Sequence, residues 1–138
     1  MIDKAELRIG NRVLYKPYGN KDGEPVIIQG MLGMKAFFDR HSNESGMFHN
    51  LQPIPITREW FEKLGFEPYA DGVAFIYRYK PMYTYEPGDR ACIEIWNLAE
   101  PPEPEKWVFD KHRTLITAVH QVQNLIFALT GKDPEIKP

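Results

Sequence analysis

The chain has 138 residues, of which 43% are hydrophobic and 26% charged, an ordinary globular composition that excludes disorder throughout the chain. Its formal net charge of −2 lacks the basic excess that neutralising phosphates requires, so non-specific nucleic-acid binding is disfavoured. Aromatic residues make up 13%, and 12 prolines accompany 10 glycines, a balance that favours strands and turns over a helical bundle.

The single cysteine, Cys92, excludes an internal disulfide and a multi-cysteine zinc site. It lies in an apolar alternating stretch, which favours its interpretation as a small buried hydrophobic residue. The first residues lack the apolar core of a signal peptide, and no apolar stretch approaches the ~20 residues that span a bilayer. The sequence therefore predicts a cytoplasmic protein that does not enter the membrane.

Four short extended segments are predicted in the first fifty or so residues, separated by turn residues. Gly10 and Asn11 mark a turn within the first segment, Gly30 a bulge in the second, and Gly33 the turn that follows it. This spacing predicts a β-meander or an SH3-like partial barrel over residues 1–56. The predicted strands are residues 7–15, 26–32, 35–39 and 46–51.

A short helix is predicted at residues 58–64, after an extended, proline-containing connector. Thr57 is a good N-cap, since its side chain can accept a hydrogen bond from a free backbone N–H of the first turn. Gly65 suits the left-handed conformation that ends a helix, and Phe66 beyond it is expected to pack back on Phe61.

A second β region is predicted from residue 71, followed by a long C-terminal helix over residues 114–130. Apolar residues at three- and four-residue spacing indicate that helix, and period-two alternation indicates the strands. We therefore predict an α+β fold in which residues 57–138 form three or four antiparallel strands covered by the C-terminal helix, together with residues 1–56 in one compact structural unit. The predicted strands are residues 73–80, 82–85, 90–97 and 106–110.

Three ordered motifs run through the chain. They are LRIGNxV from Leu7, PIPIT from Pro53 with LGF from Leu64, and VHQxQNLxFALTG from Val119. This series resembles a family of small uncharacterised proteins common in gut Bacteroidales genomes and their prophage-like regions. The resemblance covers nearly the whole chain and implies a bacterial, mobile-element context, but it implies no activity, cofactor or catalytic residue. Residues 80–105 match none of these motifs.

The polar turn of the C-terminal helix is the first candidate site. Its polar residues interrupt an otherwise apolar helix, beside a second apolar patch that needs a neighbour of its own. The pattern is typical of a solvated helix face, or of a recognition strip for a partner or an adjoining loop. As one hypothesis, a surface for a protein partner or for self-association consists of Ile116, His120, Gln123, Asn124 and Phe127.

A tyrosine-rich strand supplies an alternative hypothesis. Aromatic side chains on one strand face are more often core than a stacking platform. If they are exposed near basic residues, however, they can bind single-stranded nucleic acid. The residues of this alternative surface are Tyr77, Arg78, Tyr79, Lys80, Tyr83 and Tyr85.

Catalytic motifs are not found in the sequence. Ser42 and Ser45 show no nucleophile-elbow pattern, and Gly30 and Gly33 lack the following Lys-Ser/Thr of a phosphate loop. The scattered histidines and aspartates have no third ligand at metal-binding spacing. We therefore predict no catalytic residue, metal or cofactor, and a non-enzymatic binding or adaptor protein, with an unrecognised enzyme as a further alternative. The residues considered as metal ligands are Asp39, His41, His49, Asp110 and His112.

Overall fold

The computed structural model describes residues 2–16, 23–39, 45–71, 74–79, 93–99, 104–109 and 114–137. Within these ranges the chain forms antiparallel sheets and two α-helices, which confirms the predicted α+β class. It divides into two compact units, Met1–Pro55 with Ala118–Asn124, and Ile56–Thr117 with Leu125–Pro138. The first unit thus ends close to the predicted boundary at residue 56, but it also contains a stretch from near the C-terminus.

The first unit contains a five-stranded antiparallel sheet. Its strands are β1 (Arg12–Tyr15), β2 (Glu24–Leu32), β3 (Lys35–Phe38), β4 (Ser45–Met47) and β5 (Leu51–Gln52). The spatial order is β4-β3-β2-β1-β5, so the first four strands form the predicted meander and β5 returns to the free edge of β1. The SH3-like label for this unit stays a prediction.

Local details of this sheet differ from the predicted strands at both ends. The first strand begins only at Arg12, because a 3₁₀ helix, Lys4–Glu6, and a turn with Gly10 at φ 97° come before it. The last predicted segment is divided by a second 3₁₀ helix, Phe48–Asn50. The predicted bulge is confirmed, since the β2–β3 register shifts between Ile28 and Gly30.

The core of the first unit is an apolar cluster that draws on the 3₁₀ helix region and on the strands. It includes a tilted aromatic pair, Tyr15 and Phe38, whose ring centroids lie 4.9 Å apart. The buried members are Ile2, Leu7, Val13, Val26, Ile28, Ala36, Phe38 and Leu51.

The second unit contains a helix and five further strands. They are α1 (Arg58–Lys63), β6 (Phe66–Asp71), β7 (Ala74–Tyr79), β8 (Glu94–Asn97), β9 (Trp107–Phe109) and β10 (Thr114–Ile116). The strands lie in the order β10-β9-β8-β7-β6 and each pairs antiparallel with the next. The last element, α2 (Val119–Thr130), contributes its first half to the first unit and its second half to the second.

The ends of α1 form as the sequence predicts. The Thr57 side chain accepts a hydrogen bond from the Trp60 N–H at 3.3 Å, and Gly65 adopts φ 97° after the last turn. Phe66 packs back on Phe61, with ring centroids 5.5 Å apart and an edge-on geometry.

Two elements of the second unit were not predicted. β6 contains Pro68, which argues against a central strand, but β6 is an edge strand, where a missing N–H leaves no ladder bond unmade. The predicted helix from residue 114 is wrong in its first turn, because Thr114–Ile116 pairs with β9 and α2 begins only at Val119. β-branched Thr114 and Ile116 favour this strand. The predicted strand at residues 82–85, the start of the one at 90–97, and Cys92 lie outside the described residues.

Gly46 on β4 tests the packing of the first unit, because a Cβ at this position would clash with the ring of Tyr15. We expect Gly46→Ala to lower the free energy of unfolding by about 1–3 kcal/mol, the usual cost of an overpacked core. Gly30→Ala is the matched control, since its Cβ would lie 3.8 Å from the Phe37 ring, an ordinary contact. Urea denaturation of both variants measures the difference, and equal stabilities would contradict the packing described here.

Candidate functional site

The tyrosine strand β7 faces the interior of the second unit. Tyr77 and Tyr79 are only 3% and 6% exposed. Tyr77 stacks on Phe61 with ring centroids 5.0 Å apart, and Tyr79 lies 5.3 Å from Phe66. Trp107 completes this aromatic cluster with its ring 4.9 Å from Phe61. These rings therefore form a core and not a stacking platform.

Burial also sets the acid–base behaviour of this strand. It raises the pKa of the Tyr77 hydroxyl, with a further contribution from Glu62, and it raises the pKa of Tyr79. Arg78 points to the other face of the sheet, where it lies opposite Glu94. The remaining members of the predicted nucleic-acid surface, Lys80, Tyr83 and Tyr85, lie outside the described residues. Tyr77 and Tyr79 are therefore too deeply buried to stack on a nucleobase.

The predicted partner surface near the C-terminal helix is also largely buried. Ile116, on β10, is 5% exposed, and His120 and Gln123, on α2, are 2% exposed each. Asn124 is half-buried, and only Phe127 has a clearly exposed side chain, at 38%. The interpretation of this polar turn as a solvated helix face is therefore wrong for His120.

Gln123 binds the backbone of a segment near the start of the chain, residues 6–12, which we call the N-terminal turn. Its Nε2 donates to the Gly10 carbonyl at 3.0 Å. Its Oε1 accepts from the Arg12 N–H at 2.8 Å. One side-chain amide thus satisfies two backbone groups at the entrance to β1.

Asn124 makes a second set of bonds to the same turn. Its Nδ2 donates to the Glu6 carbonyl at 2.7 Å. Its Oδ1 accepts from Asn11 Nδ2 at 2.8 Å and from Arg8 Nε at 3.3 Å. We call Gln123 and Asn124, with the bonds they make to residues 6–12, the amide clamp.

Asn11 lies at the centre of the amide clamp and is completely buried. Its Oδ1 accepts from the Arg8 N–H at 2.6 Å, and its own backbone N–H donates to the Arg8 carbonyl at 3.0 Å. The Asn11 carbonyl in turn accepts from the Ile28 N–H at 2.9 Å. All of these groups are paired, as buried polar groups must be when water is excluded.

The amide clamp joins the first and third motifs of the sequence. The sequence pattern had left open whether the polar turn of α2 binds an adjoining loop, and the structure places it against the loop formed by the first motif. Polar residues within an otherwise apolar helix were the available signal. Their partners lie 111–118 positions away, a distance over which a single sequence carries no pairing information.

His120 lies one turn before the amide clamp and is not part of its bonds. Its imidazole is buried, and neither ring nitrogen has a hydrogen-bond partner among the described residues. Burial lowers the pKa of His120 below its ordinary value of 6.5, and the Glu6 carboxylate partly opposes this effect. Burial therefore favours the neutral imidazole, in a place where a buried polar group ordinarily finds a partner.

The turn between β2 and β3 presents apolar side chains to solvent. Leu32 is 74% exposed and Met34 69%, and Phe37 on the same hairpin is 39% exposed. We call these three residues the apolar tip. Leu32 lies opposite Lys35 and Phe37 follows two residues later, so Leu32 and Phe37 share one face of the sheet.

The backbone of the apolar tip is held in place by the rest of the first unit. The Lys4 ammonium donates to the Gly33 carbonyl at 2.7 Å and lies 5.2 Å from the centre of the Phe48 ring. The Phe48 N–H donates to the Met34 carbonyl at 3.0 Å. Two bonds from outside the hairpin therefore fix a turn whose side chains face water.

A groove of about 390 Å³ lies in the second unit beside β9 and β10. At its side Arg58 Nε meets Glu105 Oε1 at 2.5 Å, but the two side chains are 45% and 39% exposed, so water weakens this ion pair. The groove is lined by Ile56, Glu105, Lys106, Trp107, Leu115, Ile116 and Thr117.

Metal-binding and membrane-spanning features were searched among the described residues. No group of three or more His, Cys, Asp or Glu side chains there is arranged to hold a metal ion. His41, Asp110 and His112 lie outside those residues, while His49 is exposed. No α-helix in the described part of the chain has the length and apolar character needed to cross a membrane.

Comparisons of the chain with protein-family models, with curated proteins and with solved structures returned no match. The resemblance to a Bacteroidales family therefore stays a prediction.

Asn124 tests the amide clamp, because its removal leaves the buried Asn11 amide and the Glu6 carbonyl without their partners. We expect Asn124→Ala to lower the free energy of unfolding by about 1–3 kcal/mol, the usual cost of an unsatisfied buried group. Gln29→Ala is the control, since Gln29 is an exposed amide on β2. Urea denaturation gives both values, and an Asn124→Ala variant as stable as the control would contradict this role.

Proposed function

We propose that this chain is a non-enzymatic binding module that docks a protein partner on the apolar tip. The observation that carries the proposal is the exposure of Leu32 and Met34 on a turn whose backbone is fixed from outside. Single exposed apolar residues are ordinary on protein surfaces, but a cluster on a rigid turn indicates an interaction site.

The physical reason is the cost of ordering a contact. A flexible loop loses conformational freedom when it binds, and that loss subtracts from the affinity. The Lys4 and Phe48 bonds hold the tip in one conformation before any partner arrives. Met34 adds an unbranched side chain that adapts to the shape of an apolar pocket. The tip therefore has the properties of a preformed anchor residue cluster.

The charges around the tip limit further which partner surfaces are complementary to it. Lys35 is exposed beside Leu32, and Lys4 lies below the turn. A protein pocket with an apolar floor and an acidic rim is the complementary surface, since opposite charges at a rim favour encounter and orientation. A second copy of the chain is included as one form of partner.

The proposal also includes the cellular context of the protein, the class of its first unit and the kind of partner. The resemblance to prophage-associated Bacteroidales proteins supports a bacterial, mobile-element context, and the lone cysteine supports the cytoplasm. Five short antiparallel strands around one apolar core support an SH3-like classification of the first unit. The interior position of Tyr77 and Tyr79 favours a protein partner over single-stranded nucleic acid.

The double variant Leu32→Gln/Met34→Gln tests the tip. Both side chains are more than two-thirds exposed, so the variant is expected to fold with unchanged stability. We expect affinity for the partner to fall at least about tenfold, because truncating a buried anchor costs about 2 kcal/mol or more. The partner is isolated from native-host lysate with the wild-type chain as bait, identified by mass spectrometry, and its affinity is measured by calorimetry.

Leu129→Gln serves as the matched control, since Leu129 is a 49% exposed leucine on α2 and belongs to the second unit. Light scattering of all three proteins separates self-association from binding to another protein. A partner that binds the double variant as tightly as it binds wild type would contradict the proposal. A wild-type chain that is monomeric and retains nothing would contradict it equally.

A further inference from the structure

We infer that His120 is the trigger of an acid-sensitive latch that holds the N-terminal turn against α2 and thereby supports the apolar tip. The inference depends on three observations about the first unit. They are a buried histidine without hydrogen-bond partners, the amide clamp one turn along the same helix, and the Lys4 bond to the tip.

The first step concerns the closed state. His120 is 2% exposed, and neither Nδ1 nor Nε2 is bonded among the described residues. An imidazole in such surroundings is tolerated when neutral, but as an imidazolium it would carry two N–H donors and a charge with no acceptor. Glu6 is the charged group that acts on it from the N-terminal turn, and its attraction is weaker than the effect of burial. Arg8 is bonded to Asn124, one turn further along α2.

The second step follows the connection from α2 to the tip. The N-terminal turn is attached to α2 through Gln123 and Asn124. The turn shares Glu6 with the 3₁₀ helix that carries Lys4, whose ammonium donates to the Gly33 carbonyl. When the turn leaves α2, His120 becomes hydrated and Lys4 loses its fixed position beneath the tip. Opening therefore hydrates the imidazole and loosens the hairpin turn in one event.

The direction of the pH effect follows from the two states. In the open state His120 has its ordinary pKa of 6.5, and in the closed state its pKa is lower. Well above pH 6.5 His120 is neutral in both states, and the open population is at its lowest. As the pH falls below 6.5 only the open state takes up the proton, so the open population rises by up to about tenfold per pH unit. The rise stops at the lowered pKa of the closed state.

The biological meaning of the latch depends on the proposed function. In mildly acidic conditions, opening of the latch would loosen the preformed tip and so weaken the docking of a partner. The latch itself can be measured without a partner. Failure of the latch would leave the docking proposal standing, and failure to find a partner would leave the latch result unchanged.

Amide hydrogen exchange of the whole chain, followed by NMR and expressed as protection factors, tests the latch. The reporters are the Arg12 amide, which donates to the Gln123 side chain on α2 in the closed state, and the Phe48 amide, which donates to the Met34 carbonyl at the tip. We expect their protection to fall, by up to about tenfold, between about pH 7.5 and about pH 5.5. The Tyr79 amide, which donates to the Ile93 carbonyl in the second unit, should keep its protection and so exclude global unfolding.

His120→Leu removes the titrating group and is expected to keep full protection at both pH values. His49→Gln, a change at an exposed histidine, is expected to behave like wild type. If His120→Leu does not fold, His120→Gln and direct NMR titration of the wild-type His120 ring replace it. The latch would be overturned if the wild-type protection factors did not change with pH, or if they still changed with pH after removal of His120. An unchanged Phe48 amide would overturn its connection to the tip.

Discussion

Two side-chain amides on α2 satisfy the hydrogen bonds of a turn that lies more than a hundred residues earlier in the chain. The sheet of the first unit depends on this contact, because the turn delivers the chain to β1 and carries the fully buried Asn11. A polar group that is buried without a partner costs about 1–3 kcal/mol, so the turn and the helix must form together. Such a network also fixes one arrangement, because an alternative packing would leave several of its groups unpaired.

The same contact explains why a small unit can keep apolar side chains in water. Leu7 enters the core just after the first 3₁₀ helix, and that helix brings Lys4 to the Gly33 carbonyl. The hairpin turn is thus fixed by contacts below it, and Leu32 and Met34 are not needed for the core. Because the core does not need Leu32 and Met34, natural selection can act on these two side chains for binding. His120 adds to this arrangement a buried imidazole, and the closed form disfavours its protonation.

Elements with a local cause could be predicted from the sequence. The cap at Thr57, the left-handed Gly65 and the bulge at Gly30 each depend on a few neighbouring residues, and all three are found. β6 could not be predicted, because whether Pro68 is tolerated depends on the position of its strand in the sheet. The strand at Thr114–Ile116 was missed for a similar reason, since its pairing with β9 overrides a helical apolar pattern. The exposure of the apolar tip is likewise a tertiary property, since the sequence pattern of these residues indicates only a strand and a turn.

The distance along the chain between Asn11 and Asn124, 113 positions, bears on how the protein is made. A ribosome releases the N-terminal strands long before it polymerises α2. Until then the buried amide of Asn11 has no acceptor from Asn124, and the N-terminal turn has only its local bonds. The first unit therefore completes its fold only after residues 56–117 of the second unit have been synthesised. A nascent chain that pauses within residues 56–117 therefore carries all five strands of the first sheet but lacks the amide clamp.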